Sequence, residues 1–372
     1  MGNKDYYRNC LFVLGCLFLM SCLQRNVPVQ DKVSEPTKII VDLDMRDEPL
    51  SSLFFSKMQL IPLETTSESL IREISKMVVF ENRLYVWDYT LATIFVFDES
   101  GHYLYKLAKK GHGPGEYIDL SDFFIEKDRR EVWVLSAVGQ CIHQYSLEFD
   151  YIGKIELPQL ERAYKSMSQI SSDTIAFWTF DYRNRMKFYS LSKNQIIYED
   201  FPEERKDIFC RYEFFMDRRL CRALTNQIYT LDSAKTEPIY CWDFQEKNNQ
   251  IEGLKLPEKI DEAVKFGQDV YASRNVNYVF TLHGANEKYR YALLVVKNKY
   301  LNVFYDLGSQ KSYVFEKTKD QIALYPIYWC DDYLISSSEV LSVKDLLPDS
   351  LYHRLDIKEE HNPILIKSYF EN

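Results

Sequence analysis

Residues 70–120 read LIREISKMVVFENRLYVWDYTLATIFVFDESGHYLYKLAKKGHGPGEYIDL, and this stretch decides the fold. Apolar runs occupy Lys76–Phe80, Arg83–Trp87, Ile94–Phe97 and Tyr103–Leu107. Turn residues part them: Glu81-Asn82, Asp88, then Asp98-Glu99-Ser100-Gly101. Short runs rich in β-branched and aromatic residues, bounded by Asn, Asp, Ser and Gly, are strands joined by tight turns.

The layout recurs. Glu131-Val-Trp-Val matches Leu84-Tyr-Val-Trp, and Ile142-His-Gln-Tyr-Ser matches Ile94-Phe-Val-Phe-Asp, at offsets of 47 and 48 residues. Trp87, Trp133 and Trp178 fall 46 and 45 residues apart, one per unit. A second unit runs from Phe123 to Leu157. A third has Thr174–Thr179, Lys187–Leu191 and Gln195–Tyr198; a fourth has Cys221–Leu224, Gln227–Leu231 and Pro238–Phe244. A fifth has Asn277–Leu282, Arg290–Val296 and Leu301–Leu307; the last has Ile327–Trp329, Tyr333–Ser336 and Pro363–Phe370. Four-stranded units repeating every ~40–50 residues are propeller blades. The spacing predicts an all-β fold, a six-bladed β-propeller of four-stranded antiparallel blades over residues 37–372. Two insertions carry helical signals, Pro257–Gly267 and Leu341–Leu347. A blade buries its faces only against neighbours, and an open ring leaves a sheet edge exposed. An early strand, Lys38–Leu43 or Gln59–Leu63, is therefore expected to complete the last blade beside Pro363–Phe370.

Composition agrees with that class. The chain has 372 residues, 46% hydrophobic and 27% charged, which is globular. Its 28 Tyr and 23 Phe favour half-buried pleated surfaces. With 12 Gly and 12 Pro, extended linkers and low-complexity tracts are not expected. A net charge of -9 and the lack of a basic run with interleaved aromatics argue against a nucleic-acid partner.

The first residues carry an address. Lys4 and Arg8 precede an apolar run from Cys10 to Met20, then Ser21 and Cys22. A positive flank, a short apolar core and a small residue before the cut form a secretory signal. The run is shorter than the ~20 residues of a membrane span. Leu19-Met20-Ser21-Cys22 resembles a bacterial lipobox, which implies a signal peptide over 1–21 and a diacylglyceryl group on Cys22. Loss of Lys4, Asp5 and Arg8 takes the mature chain to -10. Residues 22–36, polar and with two prolines in VPVQDKVSEP, read as a flexible tether. Leu23 after the Cys favours the outer membrane, with the side left open. Of the eight Cys, 141, 210, 221, 241 and 330 remain in the folded part; no pair has C-x-x-C spacing, and they read as small buried hydrophobes.

The Gly111-His-Gly-Pro-Gly-Glu-Tyr117 loop concentrates three glycines in seven residues. It reads as a preorganised inter-blade turn through Gly111, Gly113, Pro114, Gly115, Glu116 and Tyr117. Pro114 removes a donor and no Lys-Ser/Thr follows, so it does not read as a phosphate loop. The pattern resembles the inter-blade turn of NHL-type propellers. Together with Ile61-Pro-Leu-Glu, Leu70-Ile, Glu73-Ile-Ser-Lys, Phe97-Asp with Gly101, and Asn362-Pro363-Ile-Leu, it resembles a family of six-bladed β-propeller lipoproteins abundant in Bacteroidales. The resemblance covers 58–160 well, 160–330 as blade-like strands and 362–370 briefly. It departs at Arg72 and at Asp150-Tyr151, both turns. It implies the fold and a lipid anchor, and no reaction.

Reaction motifs are sparse. His102, His112, His143, His283, His353 and His361 form no HxH, HExxH or Cys/His cluster, so no metal or other cofactor is implied. Asp42-x-Asp44-x-x-Asp47 lacks the glycine and terminal Glu of a calcium loop. Ser190-Leu-Ser-Lys193 matches S-x-x-K without its companion motifs and lies in an expected hairpin turn. No G-x-S-x-G occurs, so no catalytic residue is assigned. Spacing names no carboxylate pair for glycoside cleavage. Tyr182, Tyr289 and Tyr325 either fill inter-blade space or line a sugar- or peptide-binding surface. The expectation is a membrane-anchored, monomeric cell-envelope binding module for a protein, peptide or glycan. The alternatives are a propeller enzyme (lyase, lactonase or glycoside-acting hydrolase) with a central-channel site, and a structural scaffold.

Overall fold

The computed structural model describes residues 36–371 except 181–183, 202–212, 217, 223, 233–234, 252–261, 263–264, 267–268, 270–275 and 338–361. The signal, Cys22 and the tether lie outside the described residues. Two strands come first, β1 (Thr37–Ile40) and β2 (Phe55–Pro62). Blade one is β3 (Lys76–Phe80), β4 (Arg83–Asp88), β5 (Thr93–Asp98) and β6 (Tyr103–Leu107). Blade two is β7 (Asp122–Glu126), β8 (Glu131–Ser136), β9 (Cys141–Ser146) and β10 (Tyr151–Glu156). Blade three is β11 (Tyr164–Gln169), β12 (Thr174–Thr179), β13 (Met186–Ser190) and β14 (Gln195–Asp200). Blade four is β15 (Glu213–Met216), β16 (Arg219–Arg222), β17 (Gln227–Asp232) and β18 (Lys235–Asp243). Blade five is β19 (Val279–Ala285), β20 (Tyr289–Val296), β21 (Lys299–Asp306) and β22 (Lys311–Phe315). Blade six is β23 (Pro326–Trp329), β24 (Tyr333–Ser337) and β25 (Ile364–Phe370), completed by β2.

Within each blade the strands pair antiparallel in sequence order, apart from the completing strand β2. The six first strands touch in a circle: β3 with β7, β7 with β11, β11 with β15, β15 with β19, β19 with β23, and β23 with β3. They form the inner wall of a closed six-bladed propeller.

Six buried clusters lie one in each gap between blades. Tyr85, Val96, Phe123 and Val134 join blades one and two. Trp133, Met167 and Phe177 join two and three; Trp178, Phe188 and Leu231 join three and four. Trp242, Phe280 and Val303 join four and five. Tyr291, Phe304, Trp329 and Phe370 join five and six. Met77, Val86, Ile335 and Leu365 join six and one. Alternation along a strand sends one side chain to each neighbour, so both faces of a blade are apolar.

Of the two candidate closing strands, Gln59–Leu63 lies in the closure. β2 pairs antiparallel with β25 from Phe55↔Phe370 to Pro62↔Ile364. The Lys38–Leu43 run instead adds β1 parallel to β18 as a fifth strand of blade four, with Thr37 opposite Tyr240. The chain between them crosses the outer edges. Asp47 exchanges two hydrogen bonds of 2.8 Å with the backbone of Val314 on β22. Lys319 N–H donates to Pro49 O at 2.8 Å. Phe54, fully buried, stacks on Phe304 at 4.3 Å and Phe315 at 5.7 Å, and its carbonyl accepts from Glu371 N–H. Residues 37–62 thus form a strap over blades four, five and six. Gly101 fits at φ +90° where a Cβ would lie 2.2 Å from Pro62 O, so the β5–β6 turn rests against the end of the closing strand.

Of the predicted Pro257–Gly267 helix, Glu262, Lys265 and Phe266 are helical, as is Asp269 beyond it. Its other residues and Leu341–Leu347 lie outside the described residues.

Phe54→Ala is expected to cost about 3–5 kcal/mol of unfolding free energy, as loss of a buried phenyl ring does. Leu50→Ala, at an exposed strap position, is expected to change it by less than about 0.5 kcal/mol. Urea denaturation of the two variants checks this.

Candidate functional site

The inner strands enclose a central channel of about 1500 Å³. Its two sides differ. Across blades one to three the wall carries charged and polar groups, Lys76, Ser121, Asp122, Lys165 and Ser166, among apolar ones such as Met77, Val78 and Val79. Lys76 Nζ donates to Asp122 Oδ1 and to Phe123 O, each at 2.7 Å, and Asp122 Oδ2 accepts from Met167 N–H at 2.8 Å. One carboxylate thus ties three blades together. Across blades five and six the wall is apolar and aromatic: Val279, Leu282, Ile327 and Tyr328, with Tyr300 and Tyr325 edge to face at 5.0 Å.

Strand direction alternates within a blade. Connections after a second or fourth strand therefore leave from the face where first strands begin. The strand ends flanking 202–212, 245–278 and 338–363 all open on this face, and so does the Gly111–Tyr117 loop between β6 and β7. Three successive blades present exposed apolar side chains here, after their second strands: Tyr89 (61% exposed), Val138 (68%) and Phe180 (46%). All three line the channel. Each backbone is held. Tyr89 N–H donates to Ser75 Oγ at 3.1 Å, Val138 N–H to Asp119 Oδ1 at 3.0 Å, and Phe180 N–H to Ala163 O at 2.9 Å. Asp119 also takes Ser136 Oγ–H and Ala137 N–H; buried Asp88 takes the N–H groups of Arg72, Glu73 and Leu91. These mouth carboxylates hold backbone.

Gly111–Tyr117 is closed on itself. Gly111 N–H donates to Tyr117 O at 3.0 Å, and Gly113 N–H to Glu116 Oε2 at 2.8 Å. Gly115 adopts φ +74° with its Cα against the Tyr151 ring, and its carbonyl accepts from Tyr145 O–H. Tyr117 is fully buried between blades one and two, and donates from its hydroxyl to Ala92 O at 2.7 Å. Burial pushes its phenol up to about 12. Pro114 lies in the same turn, between Gly113 and Gly115.

The remaining candidates lie apart. His102 is exposed and paired with Asp98 at 2.9 Å. His112 is exposed; His353 and His361 lie outside the described residues. Buried His143 sits 3.4 Å from Cys141 Sγ; burial lowers the imidazole and lifts the thiol to about 11. His283 is buried beside Phe280, with burial bringing it down to about 3. Among the described residues no three His, Cys, Asp or Glu gather as metal ligands. Ser190 Oγ donates to Asp173, and Lys193 N–H donates back to Ser190, which closes the hairpin turn expected there. Asp42 caps Asp44 N–H, while Asp47 serves the strap. Cys141, Cys221, Cys241 and Cys330 are free thiols, and Cys210 lies outside the described residues. Tyr289 is core between blades five and six, Tyr325 lines the channel, and Tyr182 lies outside the described residues. The sequence reading missed Tyr89, Val138 and Phe180; an apolar residue just past each second strand was the available signal.

A closed ring of six blades around a channel defines a β-propeller. Residues 37–368 match a family described as a domain of unknown function, DUF4934, and the chain belongs to that family. No functionally curated protein matches the sequence. The chain is similar in structure to a Bacteroides fragilis NCTC 9343 protein named as exported: 18% identity, TM-score 0.69, covering 90% of this chain and 100% of that one. It is also similar to a DUF4221 family member of Bacteroides vulgatus ATCC 8482: 10% identity, TM-score 0.51, covering 85% and 97%. At these identities the likeness shows the fold. Among the described residues no helix is long and apolar enough to cross a membrane.

The state of His283 predicts a pH dependence. Its folded pKa of about 3 lies below an unfolded value near 6.5. Between these limits the unfolded chain binds a proton the folded chain refuses, so stability falls as pH drops through that window. From pH 7.5 to 5.0 this one group is expected to cost about 2 kcal/mol. His283→Phe removes that part of the slope, read as the difference between the two proteins' urea denaturation at both pH values.

Proposed function

We propose that this protein is an exported, lipid-anchored binding module of the cell envelope that takes a protein or peptide segment at the channel mouth. The carrying observation is the trio Tyr89, Val138 and Phe180, exposed apolar side chains on anchored backbone at matching places in three blades. Rigid loops presenting large apolar groups are the form of a recognition surface, since anchored side chains lose little entropy on binding. Among ligand classes the mouth favours peptide over glycan. Sugar hydroxyls need free polar side chains, and Asp88 and Asp119 are occupied by backbone N–H groups. The export reading is supported by the signal-like residues 1–21 with Cys22, and by the name of the similar Bacteroides fragilis protein.

A displayed random-peptide library and an oligosaccharide array test this. Enriched peptides should carry apolar residues and bind a Tyr89→Ser/Phe180→Ser variant more than about tenfold weaker. Equal binding by that variant, or capture of oligosaccharides alone, contradicts the reading. For the anchor, palmitate labelling should vanish in Cys22→Ala; labelling that persists contradicts it.

A further inference from the structure

We propose that a cleft between blades two and three, on the face opposite the mouth, is a binding site for a neutral saccharide. It goes beyond the mouth and does not depend on what the mouth recognises. The cleft holds about 360 Å³. That is the small end of the roughly 300–1,000 Å³ of ligand pockets, with room for about one or two sugar rings. Blade two supplies Arg129 and Gln144, and blade three supplies Ser172, Asp173 and Asn194. Arg129, Ser172, Asp173 and Asn194 lie in turns after first or third strands, so the cleft opens away from the mouth.

The polar rim is held in place and only partly used. Asp173 accepts from Ser190 Oγ–H and from Ser192 N–H, each at 2.7 Å, and these bonds hold its carboxyl below the usual carboxylate range. A carboxylate has about four acceptor sites, so capacity is left over. Asn194 accepts from the Tyr189 hydroxyl through Oδ1, which leaves its two N–H donors. Arg129 is anchored by its backbone N–H on Glu126 at 2.5 Å, and its guanidinium lies over the Trp133 ring at 5.5 Å. Among the described residues that guanidinium makes no ion pair and the Gln144 amide makes no hydrogen bond. The next residue, Arg130, is paired with Glu81 across the neighbouring gap. Gln144 stands opposite Gly153 on β10, where no side chain covers it; a Cβ there would meet only Gln144 Oε1, at 3.5 Å.

The mixture of groups says what fits. Arg129 and Asp173 give the lining one cation and one anion, and amides and hydroxyls make up the rest of the rim. A charged ligand calls for one sign, and a hydrocarbon calls for no polar rim. A sugar hydroxyl both donates and accepts, so a ring of them needs donors and acceptors side by side. Ile155 and Leu191, half-buried at the edge of the cluster between the two blades, offer an apolar base for the C–H face of the ring. The mouth is the converse, since its carboxylates hold backbone and its exposed groups are apolar. Side chains already fixed by the fold lose little entropy when a ligand arrives.

The experiment puts the full chain on an array of neutral oligosaccharides of glucose, galactose, mannose and N-acetylglucosamine, with hexuronate oligosaccharides beside them. Isothermal titration calorimetry then follows the strongest neutral binder. A neutral oligosaccharide should bind, and an Arg129→Ala/Gln144→Leu variant should bind it more than about tenfold weaker, as the loss of several hydrogen bonds does. Arg129 is exposed and Gln144 half-buried, so the variant is expected to fold, which circular dichroism checks. Tyr89→Ser/Phe180→Ser, at the mouth, should leave saccharide affinity unchanged. The inference is overturned by no neutral binder at millimolar concentration, by binding of hexuronates alone, or by unchanged affinity in the folded Arg129→Ala/Gln144→Leu protein. Loss of the saccharide in the mouth variant instead would move the site to the mouth and overturn it too. Peptide capture is scored separately, so either reading can fail while the other stands.

Discussion

The pairing of β2 with β25 is the interaction on which the rest depends. A propeller blade cannot shield two apolar faces alone, so each of the six gaps must be filled from both sides. Five gaps are made by neighbours along the chain. The sixth needs residues from opposite ends: Ile61 and Leu63 with Ile335 and Leu365, against Met77 and Val86 of blade one. Bringing ends ~300 residues apart together costs about 5 kcal/mol in loop entropy by the (3/2)RT ln n estimate. Seven paired positions and the apolar seal behind them oppose that cost. The strap extends the closure, because Ile39, Val41 and Leu43 enter the gap between blades four and five, and Phe54 enters the next.

Closure also sets the chemistry. Only a complete ring gives an enclosed axis, and the inner strands then face a space that packing does not fill. Asp122 spans from Lys76 to Met167 and ties the walls of blades one to three together through one charged group. On the other side blades five and six offer Leu282, Ile327 and paired tyrosines. The same fold serves many activities, so function has to be argued from these walls and from the mouth.

Much of the ring was legible in the sequence because outer strands alternate or run apolar between Asn, Asp and Gly turns. Blade one matches to within one residue at each strand end. Three strands escaped notice: Tyr164–Gln169, Glu213–Met216 and Lys311–Phe315. The first reads YKSMSQ, and it lines the channel on one side, so polar residues break its pattern. The alignment of Glu131 with Leu84 was off by one position. Val132 is the true counterpart, since Leu84 and Val132 both face the preceding blade. The two candidate closing strands were not separable, because parallel and antiparallel pairing leave no distinct mark in TKII and MQLIPL. The mouth residues were hidden for a related reason: Tyr89 and Phe180 look like every other aromatic in a chain with 28 Tyr and 23 Phe.

Native-state hydrogen exchange, followed residue by residue, tests the closure most directly. If the β2–β25 ladder holds the ring shut, the amides of Gln59, Ile61 and Lys367, which lie in it, exchange only through global unfolding. They then share one opening free energy with the central strands of blade six. If β2 amides exchange orders of magnitude faster than those of Leu334 and Ile335 while the other blades stay protected, the ring stands without its strap and the account is wrong.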